Sequence, residues 1–490
     1  MNGRNEEDRR IYERSARLIL LLAVRELCPG TKVRIEHSIG FGVYMTVSGV
    51  SLTAALVRRI EEKMREIARW DIPIVKSRWT RGQAMDYFRS VGQDDTVRLL
   101  EHRPFDYFNV YTCDGLSEYF YGEMAPSTGA VANFALRFYY PGMVLLLPGE
   151  DLSGPPAPFA ERPQLMRTYA EANEHSRILA CQSAADLNEI IDRGEIRSFI
   201  RVNEALHART IAHIAERIVA RGARVVFIAG PSSSGKTTFA NRLSVELRVT
   251  GKRPVAISLD NYYRNREDVP LGPDGKPDLE CLESIDVPLF NEQLIDLLAG
   301  REVELPRYSF YTKRREAKGV RLRVSDDQIL IVEGIHGLND ALSADIPSEL
   351  KFRVYISALT QLNLDDHNRI RTTDVRLMRR MVRDRRTRAT SAIQTMGMWD
   401  KVREGEEKYI FPFQEKADVM FNSSLLYEIA VLKKYAYPML CEIEEESEYY
   451  VRARRLVKFL NYFRDCREEN EIPPTSILRE FVGGCTFYDE

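Results

Sequence analysis

The sequence predicts an α/β protein in which a doubly wound parallel sheet follows an α+β unit, with helical segments before and after the sheet. Three observations lead to this fold class. Short apolar runs alternate with helical patterns after residue 224, as in parallel sheets whose crossover helices cover both faces. A proline-rich passage ends the first 150 residues, and helical spacing dominates residues 164–220 and the stretch after residue 437.

The first 150 residues combine two helical patterns with short extended stretches. Apolar residues recur every three or four positions in 11–27 and 52–70, whereas 41–47 and 134–140 have the character of strands. The sequence Gly-Pro-Pro-Ala-Pro at 154–158 resists both helix and sheet and therefore marks a boundary. The four predicted parts are an α+β unit (1–150), a helical linker (151–221), the parallel sheet (222–440) and a helical tail (441–490).

The overall composition argues against several classes of protein. Lys and Arg total 70 against 72 Asp and Glu, and this net charge of −2 disfavours a general nucleic-acid binder. The seven cysteines are scattered without a Cys-x-x-Cys pair, which indicates reduced thiols. The apolar stretch at 18–24 is far shorter than the roughly 18 residues that a membrane span needs. We therefore expect a cytoplasmic protein without membrane contact.

The strongest motif is GPSSSGKTT at 230–238, between an apolar run at 225–229 and a helical segment at 239–247. Strand, glycine-rich loop and helix in this order carry the pattern Gly-x4-Gly-Lys-[Ser/Thr] of phosphate-binding loops. Gly230 and Gly235 permit backbone conformations that let successive amide groups converge on a phosphate, and the helix adds its positive end. The predicted nucleotide-binding residues are Gly230, Pro231, Ser232, Ser233, Ser234, Gly235, Lys236, Thr237 and Thr238.

Two carboxylates are expected beside this loop. Asp260 follows the apolar run 254–259, and Glu333 follows the run 329–332. Ligands of open α/β sheets bind at the carboxyl ends of the strands, so both acids should face the phosphate site. In that site Lys236 can reach the β- and γ-phosphates, and the Thr237 hydroxyl can bind Mg²⁺. One acid can serve Mg²⁺, directly or through water, and the other can accept a proton from an attacking hydroxyl.

A run of arginines forms the third predicted element. Residues 369–388 hold nine arginines, two acids and no lysine, whereas an ordinary solvated helix mixes Lys with Glu. Three- and four-residue spacing puts Arg376, Arg379, Arg380 and Arg383 on one helix face. Planar guanidinium groups suit the charged oxygens of a phosphoryl group in transfer. We therefore predict a mobile arginine lid with a catalytic role.

Residues 225–437 resemble the uridine kinase and phosphoribulokinase group of P-loop kinases. The matching pieces are GPSSSGKTT, SLDNYY from 258, LPRYSF from 305, VEG from 332 and RLMRRMVRD from 376. The resemblance implies ATP and Mg²⁺ as cofactors and the 5′-hydroxyl of a nucleoside as acceptor. It implies Asp260 as the base that removes the hydroxyl proton, Glu333 near Mg²⁺, and the arginine face as the lid.

The same resemblance implies an acceptor site. Tyr263, Tyr308 and Phe310 fall where these kinases hold the ribose or the base. Lys313 stands where uridine kinases have a histidine that contacts the pyrimidine, and Glu280 falls near their ribose-binding aspartate. These five residues are the predicted acceptor-binding set.

The first 150 residues resemble the editing-type second additional domain of threonyl-tRNA synthetases. The resemblance is carried by RSARLILLLA from 14, EHSIGFGVYM from 36, RIEEKMREIA from 59 and GEMAPSTG from 122. The four positions of the synthetase's histidines and cysteine are occupied here by Arg14, Leu18, Phe120 and Met124. The resemblance therefore implies a retained fold that serves as a binding or regulatory module, as in composite bacterial proteins that are uridine kinase-like.

Three functions stay open at this point. The first is a Mg·ATP-dependent kinase for a hydroxyl of a nucleoside, uridine- or cytidine-like, or of a related small molecule. The second is an RNA-linked ATPase or kinase that contacts tRNA through a modest basic face of Arg58, Arg59, Lys63 and Arg65. The third is a kinase for a sugar phosphate or a pantothenate-like metabolite, held by the arginine pair at 314–315. Either a monomer or an oligomer is compatible with the sequence.

Overall fold

The computed structural model describes residues 3–272, 275–309 and 312–488. The helices are α1 (Gly3–Leu27), α2 (Ala54–Trp70), α3 (Arg81–Ser90), α4 (Asp94–His102), α5 (Pro163–Ile178), α6 (Ala184–Asp192), α7 (Ile196–Arg221), α8 (Lys236–Val249), α9 (Val287–Leu298), α10 (Thr372–Arg388), α11 (Ala392–Tyr409), α12 (Glu428–Cys441), α13 (Tyr450–Leu460) and α14 (Arg479–Val482). The strands are β1 (Lys32–Ile39), β2 (Gly42–Ser48), β3 (Val75–Thr80), β4 (Tyr107–Cys113), β5 (Leu116–Glu118), β6 (Ala135–Tyr139), β7 (Gly142–Leu146), β8 (Val225–Ala229), β9 (Arg253–Ser258), β10 (Val303–Leu305), β11 (Tyr308–Ser309), β12 (Arg314–Arg315), β13 (Val320–Leu322), β14 (Gln328–Glu333), β15 (Lys351–Ser357) and β16 (Val419–Asn422). Within the described ranges, none of these helices combines the length and the apolar character that crossing a membrane requires.

A five-stranded parallel sheet with strand order β16-β15-β8-β14-β9 forms the centre of the C-terminal half. Alternate residues of β8 point to opposite faces. Val226 and Ile228 pack in one core with α7, α8, α10 and α12, while Val225 and Phe227 pack with α9 on the other side. The predicted parallel α/β sheet with covered faces is therefore confirmed. Its strand order brings the carboxyl ends of β8, β14 and β9 side by side.

The N-terminal part combines helices with two antiparallel sheets, whose strand orders are β1-β2-β7-β6 and β3-β4-β5. In α2, Val57, Ile60, Met64 and Ile67 are buried at helical spacing, in a core that α1 shares. These elements have the α+β character that the sequence predicts. The descent of this part from a synthetase editing domain stays a prediction.

A loop of the C-terminal half docks on the N-terminal part. The backbone N–H of Ile35 donates to the carbonyl of Asp366 at 2.7 Å, and the carbonyl of Ile35 accepts from Asn363 Nδ2 at 2.7 Å. The backbone N–H of Tyr121 donates to Asn368 Oδ1 at 3.0 Å. Directional bonds to backbone groups therefore fix how the two parts meet.

One apolar core runs through all four predicted parts. It contains Phe88 from the first part, Leu187 from the linker, Phe239 from the sheet region and Phe481 from the tail. The boundaries at 150, 221 and 440 stay predictions about how the chain is organised. Side-chain packing is continuous across them.

His367 lies in the loop segment 363–368 that docks on the N-terminal part, and it makes a pH-sensitive contact. Its Nδ1 lies 2.9 Å from Oε2 of Glu118. Burial alone would lower the pKa of His367. The carboxylates of Glu118 and Asp365 raise it by more than burial lowers it, so the pKa rises from 6.5 to about 9. Protonated His367 therefore stabilises the folded state. This contribution is fully present below pH 6.5 and is lost as the pH rises through 9.

We therefore expect the free energy of unfolding to fall by up to about 3 kcal/mol between neutral and alkaline pH. The His367→Gln variant should lack this fall, because glutamine carries no proton to lose. Urea unfolding at a series of pH values measures both. The control is His213→Gln, which removes an exposed histidine and should keep the wild-type profile. Parallel pH profiles for wild type and His367→Gln would contradict the prediction.

Candidate active site

The phosphate-binding loop lies between β8 and α8 at the carboxyl edge of the sheet. Helix α8 begins at Lys236, directly after Gly235, whose φ is 87°. A Cβ atom at Gly230 would lie 2.0 Å from the carbonyl oxygen of Ile356, so a larger residue does not fit there. Lys236 Nζ donates to the carbonyls of Gly230 at 2.9 Å and Pro231 at 3.2 Å, which holds its ammonium group across the loop. The loop thus combines a helix N-terminus with a half-buried cation, which together attract anions.

Thr237 and Glu333 form the candidate metal position. Thr237 Oγ1 lies 3.3 Å from Oε2 and 3.4 Å from Oε1 of Glu333. Burial raises the pKa of Glu333 to about 7, against the opposing charge of Lys236. Mg²⁺ takes one or two protein oxygens and completes its octahedron with water and phosphate, so this pair fits it. The described residues contain no group of three or more His, Cys, Asp or Glu side chains suited to a metal. The nucleotide phosphates would therefore have to supply further ligands.

Asp260 lies in a short 3-10 turn, Leu259–Tyr262, directly after β9. Strand β9 pairs with β14, and Ser258 at its end is the register partner of Glu333. Asp260 is exposed, yet desolvation by the surrounding protein raises the pKa of its carboxyl group, while the charges of Lys236 and Arg388 lower it. Asp260 and Glu333, the two acids predicted from the strand ends, therefore lie close together, and the charge of Lys236 acts on both.

Arg376 is enclosed behind the loop. Its side chain is 1% exposed, its Nε donates to the carbonyl of Ser232 at 2.9 Å, and it forms an ion pair with Glu406. Glu406 also accepts a hydrogen bond from the backbone N–H of Ser232 at 2.9 Å. One ion pair thus holds both backbone polar groups of a loop residue. The role of Glu406 could not be predicted from the sequence, because it is one of several glutamates in α11 and lies 30 positions from Arg376.

Arg379 is enclosed in the same way, with a side chain that is 0% exposed. Its Nη2 lies 2.5 Å from Oε2 of Glu428, and its Nη1 donates to the carbonyl of Ser233 at 3.4 Å. Removing a buried charge from its partner costs several kcal/mol, so these side chains cannot swing freely. The prediction of a mobile lid is therefore wrong for Arg376 and Arg379. They brace the loop from behind.

Arg380 and Arg383 are less enclosed, with side chains 11% and 17% exposed. Arg380 Nη1 donates to Ser232 Oγ at 2.8 Å, which brings its guanidinium group to the loop. Arg383 Nη2 lies 2.8 Å from Oδ1 of Asp384. These two arginines stay candidates for contact with a phosphoryl group.

The candidate acceptor residues Tyr263, Tyr308 and Glu280 lie near Asp260. The ring centroids of the two tyrosines are 5.6 Å apart, with the planes tilted by 52°. Burial raises the pKa of Tyr263 well above its usual value, and the negative charges of Asp260 and Glu280 add to this. Two aromatic rings and two carboxylates thus meet beside the loop.

The hairpin of β11 and β12 carries the remaining acceptor candidates. Lys313 is exposed in its turn, with φ of 58°. Phe310 lies outside the described residues. Arg314 and Arg315 each lie 3.1 Å from a protein carboxylate, so both charges are already paired. Lys313 is thus exposed, whereas Tyr263 and Tyr308 are half-buried.

Comparison with known proteins identifies the group to which this site belongs. Residues 225–429 match the sequence profile of the phosphoribulokinase/uridine kinase family. The uridine kinase of Yersinia enterocolitica is 30% identical over 199 residues, which are 40% of this chain and 85% of that protein. This chain belongs to the phosphoribulokinase/uridine kinase family.

Membership in this family makes the chain an ATP-binding kinase. The uridine kinase of Lactobacillus helveticus is 29% identical over 208 residues, which are 42% of this chain and 90% of that protein. A solved structure from Bacillus stearothermophilus, described as a possible uridine kinase, is 22% identical and aligns with a TM-score of 0.30. It covers 43% of this chain and 97% of its own. The similarity to these proteins is confined to less than half of the chain.

The C-terminal segment 476–488 lies outside the family match, yet it contacts the kinase loop. Thr238 Oγ1 donates to Glu480 Oε2 at 2.7 Å, and the backbone N–H of Thr238 donates to the same oxygen at 3.4 Å. The Tyr488 hydroxyl lies 3.0 Å from Thr238 Oγ1. A carboxylate thus sits at the first turn of α8, where the helix dipole also favours a phosphate. The contact of Glu480 with the loop could not be predicted from the sequence, because Glu480 lies 242 positions from Thr238.

We expect Glu480→Gln to bind Mg·ATP more tightly than the wild type, by roughly two- to tenfold. Glutamine can still accept the Thr238 hydrogen bonds, but it no longer repels the triphosphate. Calorimetric titration with a non-hydrolysable ATP analogue and Mg²⁺ measures the affinity. The control is Glu471→Gln, whose carboxylate pairs with Arg201 instead of the loop. Unchanged or weaker nucleotide binding in Glu480→Gln would contradict the prediction.

Proposed function

We propose that this protein transfers the γ-phosphoryl group of Mg·ATP to a hydroxyl of a nucleoside, uridine- or cytidine-like, or of a related small molecule. The observation that supports this most is the edge formed by three neighbouring strands. Lys236 lies in the loop after β8, Glu333 ends β14 and Asp260 follows β9. A cation that can bind phosphate, a candidate metal ligand and a candidate base therefore share one edge of the sheet. A phosphoryl-transfer enzyme needs these three groups together.

In this proposal Asp260 is the catalytic base. Its carboxylate takes the proton of the acceptor hydroxyl as the hydroxyl oxygen bonds to the γ-phosphorus. The bond from that phosphorus to the β–γ bridging oxygen breaks, and ADP leaves with the electron pair. Desolvation raises the pKa of Asp260, which makes its carboxylate a better proton acceptor than an ordinary aspartate.

The other residues at this edge of the sheet would bind the phosphates and neutralise their charge. Lys236, with Arg380 and Arg383, would hold the phosphate oxygens by charge-assisted hydrogen bonds. Thr237 and Glu333 would hold Mg²⁺, which neutralises charge on the β- and γ-phosphates. Arg376 would act only through the loop that it braces.

A nucleoside acceptor is supported by the chemistry around Asp260. The rings of Tyr263 and Tyr308 offer faces on which a base or a ribose can pack. The carboxylate of Glu280 can accept hydrogen bonds from neighbouring ribose hydroxyls. The relatives named uridine kinase point to the same class of acceptor.

The two alternative functions have weaker support. On the basic face of α2, Lys63 Nζ lies 2.6 Å from Glu26 and 3.1 Å from Glu66, and Arg65 pairs with Glu61. Paired charges attract an RNA backbone less than free ones. The arginine pair at 314–315 is likewise engaged with protein carboxylates, which weakens the case for a phosphorylated acceptor.

The experiment is a panel assay with full-length protein and Mg·ATP. The acceptors are uridine, cytidine, purine nucleosides, free sugars, sugar phosphates, pantothenate and tRNA, with ADP release and the mass of the product as readouts. We expect acceptor-dependent ADP release with a nucleoside 5′-monophosphate as product, and none in Lys236→Ala. Phosphorylation of tRNA or of a sugar phosphate alone would overturn the proposed acceptor. ADP release that no acceptor stimulates would overturn the transfer reaction.

A further inference from the structure

A second cationic site lies at the junction of the two halves of the chain. A cavity of about 40 Å³ is lined by α1, Tyr121, the segment 364–374 and α13. Six arginines line it, which are Arg10, Arg14, Arg17, Arg369, Arg371 and Arg455. Glu13 and Asp374 are the acids of the lining. Six guanidinium groups around so small a space need negative charges nearby, because like charges repel strongly where water is scarce.

The acids of this junction are shared among several arginines. Glu13 lies 2.5 Å from Arg371 and 3.2 Å from Arg369. Asp374 lies 2.6 Å from Arg455 and 2.9 Å from Arg10. Two further acids on α1 pair with the lining arginines, Glu6 with Arg10 and Glu7 with Arg14. Within this set the six guanidinium groups outnumber the four carboxylates by two. Outside the set, Arg452 also shares Glu6, and the charge of Asp365 also acts on Arg17.

Several donors at the cavity lack an acceptor. Arg17 Nε, Arg369 Nε and the Tyr121 hydroxyl are buried and have no hydrogen-bond partner among the described residues. Arg17 is 5% exposed, and the Arg369 side chain is 7% exposed. A buried donor without an acceptor costs about 1–3 kcal/mol, and more when it is charged. All three residues line the same cavity.

The pKa values of two of these arginines reflect their burial. Burial lowers the pKa of Arg17 to about 10, and the charges of Arg369 and Arg14 add to this against the opposing carboxylate of Glu13. Burial also lowers the pKa of Arg371 well below its usual value. Desolvation therefore outweighs the neighbouring carboxylates at Arg17 and Arg371, whereas Asp374 raises the pKa of Arg10 and of Arg455.

We propose that this cavity is an anion-binding site that holds one compact oxyanion, of the size of inorganic phosphate, between Arg17, Arg369 and Tyr121. An oxyanion accepts from all three unpartnered donors at once, since each of its oxygens has more than one lone pair. It also removes most of the excess positive charge. The volume of about 40 Å³ suits one small oxyanion and is too small to enclose a whole nucleotide.

The position of the site suggests what the anion does. Tyr121 and Arg17 belong to the N-terminal part, whereas Arg369 precedes α10, the helix whose arginines brace the phosphate-binding loop. A bound anion would tie these two parts together. It therefore stabilises the docked arrangement and, through α10, the loop.

The test is calorimetric titration of the full chain with inorganic phosphate. The kinase loop also attracts phosphate, so the titration is done in the Lys236→Ala variant, at constant ionic strength held with a bulky sulfonate salt. We expect saturable binding of one phosphate per chain and a rise in the unfolding temperature with phosphate. AMP, which exceeds the cavity, should not reproduce this second-site binding.

Three variants in the Lys236→Ala background decide where the phosphate binds. Tyr121→Phe removes one hydroxyl without loss of packing and should weaken binding by roughly two- to tenfold. Arg369→Lys keeps the charge but loses the Nε donor and should weaken it by roughly tenfold to a hundredfold. Arg98→Lys, at an ion pair outside the cavity, should leave the affinity unchanged.

Absence of saturable phosphate binding in Lys236→Ala would overturn the proposal. So would binding that neither Tyr121→Phe nor Arg369→Lys weakens, because the phosphate would then lie elsewhere. If Arg369→Lys fails to fold, Tyr121→Phe decides the question alone. Catalytic activity does not enter these readouts, so the site is tested independently of the proposed kinase reaction.

Discussion

Asp260→Asn should lower kcat by roughly 10²- to 10⁴-fold while the KM for ATP changes little. Asparagine has nearly the shape of aspartate, but its amide cannot take the proton of the acceptor hydroxyl. The other groups that would hold the nucleotide, Lys236 and the pair Thr237–Glu333, are untouched by this change. Steady-state kinetics with the acceptor found in the panel assay measure the effect.

The matched control for Asp260→Asn is Asp268→Asn. Asp268 is exposed in the next 3-10 turn and has no place at the edge of the sheet. Its replacement should leave kcat within a factor of about two, as is usual for a surface substitution. Substantial turnover in Asp260→Asn would exclude Asp260 as the base, even if the protein is a kinase. A loss of activity in both variants would indicate a folding defect instead.

Arg379→Met should destabilise the protein by about 3–5 kcal/mol, because it leaves the carboxylate of Glu428 buried without its partner. Both side chains are at most 1% exposed, so water cannot replace the lost guanidinium group. Urea unfolding measures the change in the free energy of unfolding. A mobile lid would give the opposite pattern, in which kcat falls and stability is unchanged.

Two further variants separate bracing from catalysis. Arg383→Met should cost less than about 1 kcal/mol, because Arg383 is 17% exposed and Asp384 keeps Arg380 and Arg388 as partners. Replacing both members of the buried pair, as Arg379→Met with Glu428→Leu, should restore most of the lost stability. A double variant as unstable as Arg379→Met alone would contradict this account of the ion pair.

The parts of the fold that were predictable depend on local chemistry. Alternating apolar runs and helical patterns predicted the parallel sheet, and β8, β9 and β14 lie where the runs 225–229, 254–259 and 329–332 lie. The motif GPSSSGKTT predicted its own backbone, since Gly235 at φ of 87° and the immediate start of α8 are properties of that short stretch. Strand ends predicted where Asp260 and Glu333 would meet, because parallel strands share their carboxyl edge.

The arginines of α10 mark the limit of such reasoning. Their spacing correctly put them on one helix, but it could not say whether that face is solvated or enclosed. The answer depends on Glu406 and Glu428, which lie 30 and 49 positions from their partners. The same limit hid Glu480 at the phosphate-binding loop and the shared acids Glu13 and Asp374 at the junction.

By itself, then, the sequence determined the parallel sheet, the phosphate-binding loop and the edge at which the two acids meet. The tertiary structure alone decided that Arg376 and Arg379 brace the loop, that the C-terminal segment contacts it, and that six arginines converge between the two halves. The physical reason is the range of the interactions. Backbone conformation is set by neighbouring residues, whereas the burial and pairing of a charge depend on groups that only folding brings together.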